Sequence, residues 1–147
     1  MPSVLSNVIC ERTFSTLPLS RVNGPSLFEH LCESPTYTES TVRFYLEQLC
    51  QALAHLHRGR VIHLDLRPRN VLLDVRENKV KLVDFGAAQR VELRFSGNGP
   101  SAVRGRHFAA AGDGSPEFHA PEFISSGPVG TYTDMWSFGL LIYVSLR

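Results

Sequence analysis

Polar side chains interrupt the apolar stretch VIHLDLRPRNVLLD, residues 61–74, among them Asp65, Arg67 and Asn70. A second aspartate, Asp84, follows shortly after in VDFG, residues 83–86. Oxygen donors at the mouths of short apolar runs suit a hard cation and the anion it carries. An aspartate in such a loop can accept a proton from a substrate hydroxyl, and an asparagine five residues on can return a side-chain oxygen to a metal beside it. Mg²⁺ takes few protein ligands and completes its octahedron with waters and phosphate oxygens, so Asn70 and Asp84 suffice when the cargo is a nucleotide. Arg67 would then neutralise a phosphoryl group in transfer. Each short motif is weak alone; order and spacing carry the weight.

The elements that must hold these residues follow from periodicity. Thr38 is an N-cap in front of Glu39, and Val42, Tyr45, Leu46, Leu49, Leu53 and Leu56 recur at three- and four-residue spacing up to Gly59, which suits the C′ position. This pattern predicts an amphipathic helix of about five turns whose apolar stripe is core. A shorter helix is expected over Ser26 to Leu31. Val71 to Asp74 and Lys79 to Val83 read as two strands of a hairpin joined by VREN. The Gly- and Ala-rich segment from Ala87 to Gly114 reads as a long loop, and a last helix is expected to start near Thr133. Residues 1–25 show no sustained period.

Composition narrows the class. The 147 residues are 43% hydrophobic and 10% aromatic, which is globular. A net charge of +1 and a pI near 7.8 point to neither nucleic acid nor a membrane surface. Cys10, Cys32 and Cys50 lack metal-ligand spacing and are odd in number, which fits a reducing compartment. The apolar run from Met135 to Leu146 is about half of a membrane crossing and reads as a buried helix.

In chain order, HLDLRPRN (63–70), DFG (84–86), SPEFHAPE (115–122) and DMWSFG (134–139) resemble the catalytic loop, metal-binding motif, substrate-side loop and central helix of a protein kinase. HLDL, FGAAQ and GSPEF are similar to the giant muscle kinases, the branch of titin, obscurin and the striated muscle preferentially expressed kinase, near the myosin light chain kinases. The resemblance covers roughly residues 17 to 147. It implies an α+β, protein-kinase-like fold: a mainly helical large lobe with a small β-hairpin, the small lobe and last helices missing. Residues 1–23 would be a hinge or linker remnant or an unrelated segment, and 24–147 a partial kinase domain.

The resemblance also implies roles. Asp65 would be the catalytic base, Asn70 and Asp84 the Mg²⁺ ligands, and Arg67 would stand where the family has a phosphate-contacting lysine, with a planar fork in place of a compact ammonium. Leu72 would form the floor under the adenine of ATP, His63 and Phe85 would stack in the regulatory column, Ser115 would take the hydroxyl position of a Ser/Thr kinase, and Asp134 would cap the catalytic-loop backbone. The implied function is ATP- and Mg²⁺-dependent phosphoryl transfer to protein hydroxyls, in the cytoplasm and at the sarcomere or cytoskeleton, with sarcomeric proteins as candidate partners.

Departures limit that reading. Leu64 replaces the arginine that would pair with a phosphorylated activation loop, so switching by loop phosphorylation is not expected. No Gly-rich loop, strand-borne lysine or helix-borne glutamate partner precedes the matching residues. The chain is therefore expected to be inactive alone, and the alternative is a pseudokinase-like binding module of a muscle scaffold. Plainer readings also have weight: His63 between two apolar residues suits a packed core histidine, and the cluster Arg90, Arg94, Arg104, Arg106 and His107 suits a solvated loop better than an acidic partner's site. Burial is expected for Leu46, Leu49, Leu53, Leu72, Leu82, Phe85, Trp136 and Leu140, with an apolar surface left exposed elsewhere.

Overall fold

The computed structural model describes residues 24–33, 38–74, 76–91, 103–104 and 116–147. Helix α1 covers Leu27–Glu33 and helix α2 covers Glu39–Arg58. Ser26 precedes α1 as its cap: its Oγ accepts the Glu29 amide proton at 3.2 Å, and Glu29 Oε2 accepts from the Ser26 amide at 2.7 Å. This reciprocal box satisfies donors that a helix start leaves open and holds the Glu29 carboxyl below its ordinary range. Thr38 caps α2 as expected, its side chain accepting from the Thr41 amide at 3.3 Å.

Strands β1 (Val61–Ile62), β2 (Val71–Asp74), β3 (Lys79–Leu82) and β4 (Gln89–Arg90) form antiparallel pairs, β1 with β4 and β2 with β3. The β2–β3 turn is tied by Asp74, whose carboxylate accepts from the Arg76 and Glu77 amides and from Lys81 Nζ at 2.8 Å. The Lys81 bond, seconded by the Glu77 amide, holds the Asp74 carboxyl below the usual range. Gln48 of α2 grips the same hairpin, accepting from the Val80 amide and donating to the Asn78 carbonyl. On the other side of β2 the chain before α1 passes so close that a Cβ on Gly24 would lie 1.8 Å from the Leu73 carbonyl oxygen. Only glycine fits there. The Leu73 amide in turn donates to the Pro25 carbonyl at 2.9 Å.

Strand β5 (Val103–Arg104) pairs with β6 (Pro128–Val129), the short helix α3 covers Pro121–Ile124, and helix α4 covers Thr131–Ser145. The main core joins Val42, Leu46, Leu49 and Leu53 of α2 to Leu27, Val71, Leu73, Phe138 and Leu141. A second cluster of Ile62, Leu64, Val91 and Val129 lies under the β1–β4 pair. The architecture is α+β, mainly helical, with the β2–β3 hairpin and two further two-stranded pairs among the described residues. No helix among the described residues is long and apolar enough to cross a membrane, and Cys32 and Cys50 are exposed free thiols.

Several expectations need correction. Helix α1 begins one residue later than expected because Ser26 is its cap. Gly59 is not left-handed, with φ −74°; it donates to His55 as one more helical residue, and Arg60 makes the left-handed turn at φ 61°. Trp136, expected in the core, is 49% exposed. The cause is the composition of α4, apolar almost all round, so that pattern alone cannot choose its inner face. Its buried residues include the polar Thr133, Asp134 and Ser137, each with a partner across the fold, while Tyr132, Met135, Trp136 and Tyr143 face out. These residues form an exposed apolar surface on α4; one was anticipated where the small lobe and later helices would pack. Leu72, Leu82, Phe85 and Leu140 are half-buried; Leu72 alternates with the buried Val71 and Leu73 and so points to the hairpin's other face.

Candidate active site

The loop after β1 is held from beneath by one carboxylate. Asp134 at the start of α4 is 1% exposed, and its two oxygens accept the amide protons of His63 and Leu64, each at 2.9 Å. His57 Nε2, from the last turn of α2, adds a third contact to Asp134 at 2.8 Å. Leu64 stands at φ 65°, where a branched side chain is strained. Two charge-assisted bonds on adjacent amides offset that strain and fix the direction in which Asp65 leaves the loop. Asp134 does what the kinase resemblance implied, whereas the His57 contact was missed. The available signal was a histidine in the last turn of the helix.

Asn70, 6% exposed, closes the loop. Its Nδ2 donates to both the backbone oxygen and Oδ2 of Asp65, at 2.8 Å each. The amide oxygen is thereby the end directed away from Asp65. The 3₁₀ turn Pro68–Asn70 sets this up, with Pro68 preshaping φ at its first position. Arg67 Nε faces the other carboxylate oxygen, Asp65 Oδ1, at 3.4 Å. Arg67 is thus placed beside the Asp65 carboxylate.

The second loop is joined to the first through Val83. Its amide donates to the Asn70 carbonyl at 2.9 Å, and its own carbonyl faces His63 Nε2 at 3.0 Å. Asp84 follows directly in a left-handed conformation, φ 62° and ψ 73°, with one carboxylate oxygen accepting from the Gly86 amide at 3.2 Å. The His63 and Phe85 rings meet edge to face, with centroids 4.9 Å apart. Burial pushes the His63 pKa below its ordinary value, against the pull of Asp134, so the ring between the two loops stays neutral. His63 is thus a packed core histidine, as the plainer reading had it, and it also ties the two loops together.

Asp65, Arg67 and Asn70 therefore form one hydrogen-bonded and ion-paired group, with Asp84 directly after Val83, whose amide the Asn70 carbonyl holds. Leu72 lies on β2 immediately after that group, half-buried. Ser115 lies outside the described residues. Among the described residues no three His, Cys, Asp or Glu side chains converge to hold a metal by themselves. The donors at hand are hard oxygens, one amide and one carboxylate, which fits Mg²⁺ completed by phosphate and water and no self-contained metal cage.

Comparison with known proteins shows the family. The family model for the protein kinase domain matches residues 4–147. The chain is 36% identical over 127 residues to a titin homolog of Caenorhabditis elegans, covering 85% of this chain and 1% of that protein. It is 35% identical over 137 residues to myosin light chain kinase 3 of Danio rerio, covering 92% of this chain and 18% of that protein. With death-associated protein kinase 2 of Homo sapiens it shares 31% identity over 145 residues, 97% of this chain and 36% of the other. The chain thus spans a minor part of each of these relatives.

Proposed function

Because the chain belongs to the protein kinase domain family, with relatives among the serine/threonine kinases of the titin and myosin light chain kinase branch, we propose that it forms the catalytic-loop side of an ATP- and Mg²⁺-dependent serine/threonine phosphotransfer site. The observation that carries this is Asn70, whose side-chain amide clamps Asp65 while its backbone oxygen holds Val83 next to Asp84.

Mg²⁺-ATP, when bound, supplies the phosphoryl group and the charge that screens it. The outward oxygen of Asn70 and the Asp84 carboxylate would hold the cation, and Leu72 would lie under the adenine. Asp65 would accept the proton of the incoming serine or threonine hydroxyl, its carboxylate aimed by Asn70 on one oxygen and Arg67 on the other. Ser115 would flank the hydroxyl. Positioning and charge neutralisation make up nearly all of phosphoryl-transfer catalysis. With no Gly-rich cover or anchoring lysine among its motifs, the 147-residue chain is expected to transfer no phosphate alone. A cytoplasmic setting, at the sarcomere or cytoskeleton, extends the same proposal, and sarcomeric protein partners are suggested by the names of the titin and myosin light chain kinase relatives.

One observation favours a second reading. Arg67 is engaged with Asp65, so its charge is partly diverted from a phosphate, and this suits a pseudokinase-like module that docks a protein partner. Thermal shift with Mg²⁺-ATP, run beside a radiolabel transfer assay, separates the two. In a longer chain that adds a Gly-rich segment, a strand-borne lysine and further helices, the kinase reading expects nucleotide binding and slow transfer. There Asp84→Ala abolishes metal-dependent binding, and Asp65→Asn spares binding while removing transfer. Binding without transfer in the unmutated longer chain supports the docking module.

A further inference from the structure

Helix α4 carries two seams. One is buried and runs through Thr133, Asp134, Ser137, Phe138, Leu141 and Ser145. On the opposite side Tyr132, Met135, Trp136, Gly139, Tyr143 and Leu146 recur at three- and four-residue spacing, which stacks them on a single helix face. The five large side chains of that face are between 39% and 55% exposed. Together they offer roughly 600 Å² of surface, the upper end of what a monomer leaves open and most of the 800 Å² or so that each partner gives a standard interface. Arg147, past the helix end, stacks on the Tyr143 ring at 5.1 Å and still leaves it more than half exposed. Asp134, the charged residue of α4, is turned inward. A face of tyrosine, tryptophan and methionine without charge has the composition of an interface core. In its middle sits Gly139, the least favourable helix residue after proline. A Cβ built there meets no described atom within 4 Å, so packing among the described residues gives no reason for the missing side chain.

We infer that this face is the contact between two copies of the chain, packed as antiparallel α4 helices that cross at Gly139. A glycine at the crossing lets the two backbones approach to the short end of the usual helix spacing of about 8–10 Å. In a two-fold arrangement each residue meets the one equally far from Gly139 on the other side. Met135, four before the glycine, then faces the partner's Tyr143, four after it. Tyr132, seven before, faces the partner's Leu146, seven after. The stripe is therefore self-complementary about its own glycine. Apolar positions match on both sides, a thioether beside a ring is a favourable pair, and the opposed helix dipoles lie alongside each other. A net charge of +1 adds little repulsion between copies. An apolar helix from another protein could cover the same area but has no reason to share this symmetry, which is what selects a second copy. The inference is independent of phosphotransfer, since none of these residues belongs to the group around Asp65.

Sedimentation velocity of the 147-residue chain over a wide concentration range tests this. A shift from monomer to a discrete dimer is expected, with a dissociation constant of about 10 µM for a face of this size without polar anchors. Gly139→Leu should raise the unfolding midpoint at low concentration, because leucine is the better helix former, and yet abolish the dimer. A glycine that served only the fold would not give those opposite signs. Charge reads the register. Met135→Glu and Tyr143→Lys should each weaken self-association by about tenfold or more, and an equimolar mixture of the two variants should form a heterodimer, since residue 135 of one copy faces residue 143 of the other. Both substitutions fall on exposed positions, and their midpoints show that the fold is retained. A monomer at every concentration would mean that another segment or partner takes this face, and would overturn the inference. So would an open series of larger species in place of a dimer, a dimer indifferent to Gly139→Leu and to both charges, or charged variants that stay apart when mixed.

Discussion

Asp134 accepts the amide proton of Leu64 at 2.9 Å across 70 residues of chain, and Leu64 holds a positive φ of 65°. The shape of the catalytic loop is thus set from α4 and not by local turn chemistry, since no glycine stands at the strained position. Asp134→Ala leaves the amides of His63 and Leu64 and the ring of His57 without their buried acceptor, and should cost about 3 kcal/mol of stability. Asp134→Asn keeps one acceptor oxygen and should lose about half as much. Denaturant midpoints at constant slope measure both.

The contact from His57 predicts a graded series of its own. His57→Gln retains a donor of similar reach toward Asp134 Oδ2, whereas His57→Leu removes it from a side chain that is 16% exposed. The leucine variant should be less stable than the glutamine variant by about 1 kcal/mol, read from the same midpoints.

His63 gives a pH dependence. Its folded pKa is pushed below the ordinary 6.5 by burial, so the unfolded chain takes up a proton more readily than the folded one. The contribution of the neutral ring is complete above 6.5 and is lost as pH falls below it toward the folded value. The melting temperature should therefore drop between about pH 7.5 and about pH 5.5. To isolate the His63 contribution, the slope is compared with that of His63→Phe, which should be flatter.

Leu49 and Trp136 should behave oppositely although both are large apolar helix residues. Leu49 is 1% exposed in the main core, and Leu49→Ala should cost about 3 kcal/mol. Trp136 is 49% exposed, and Trp136→Gln should change stability by less than about 1 kcal/mol. It should also raise the concentration at which the protein aggregates, measured by light scattering, because it breaks the outward apolar face of α4.

These contrasts show where sequence reading succeeds and where it stops. Helix α2 was legible because its stripe alternates cleanly with polar residues between Thr38 and Gly59, and the β2–β3 hairpin because Val80 and Leu82 alternate with Lys81. The grouping of Asp65, Asn70 and Asp84 was legible only from motif order. The hydrogen bonds that group them run through Val83 and the Asn70 amide and are set by tertiary packing. Trp136 was illegible for a physical reason: a helix with apolar residues on nearly every face carries little directional signal, and its inner face went to Asp134 and Ser137, which have bonds to make. Gly59 was misread as the C′ residue, because it serves as the C-cap of α2 and Arg60 after it takes the left-handed conformation.

The central claim is that Asn70 and Asp84 share a hard cation beside Asp65, and paramagnetic relaxation measures it most directly. Mn²⁺ with ATP, titrated into ¹⁵N-labelled protein, should broaden the resonances of Asn70, Asp84 and their neighbours before any others, with a weak dissociation constant of about 1 mM for a site with only two protein ligands. Asp84→Ala should remove that broadening, and Asp65→Asn should leave it in place. Broadening centred elsewhere in the fold, or broadening at Asn70 that persists unchanged in Asp84→Ala, would contradict the shared site.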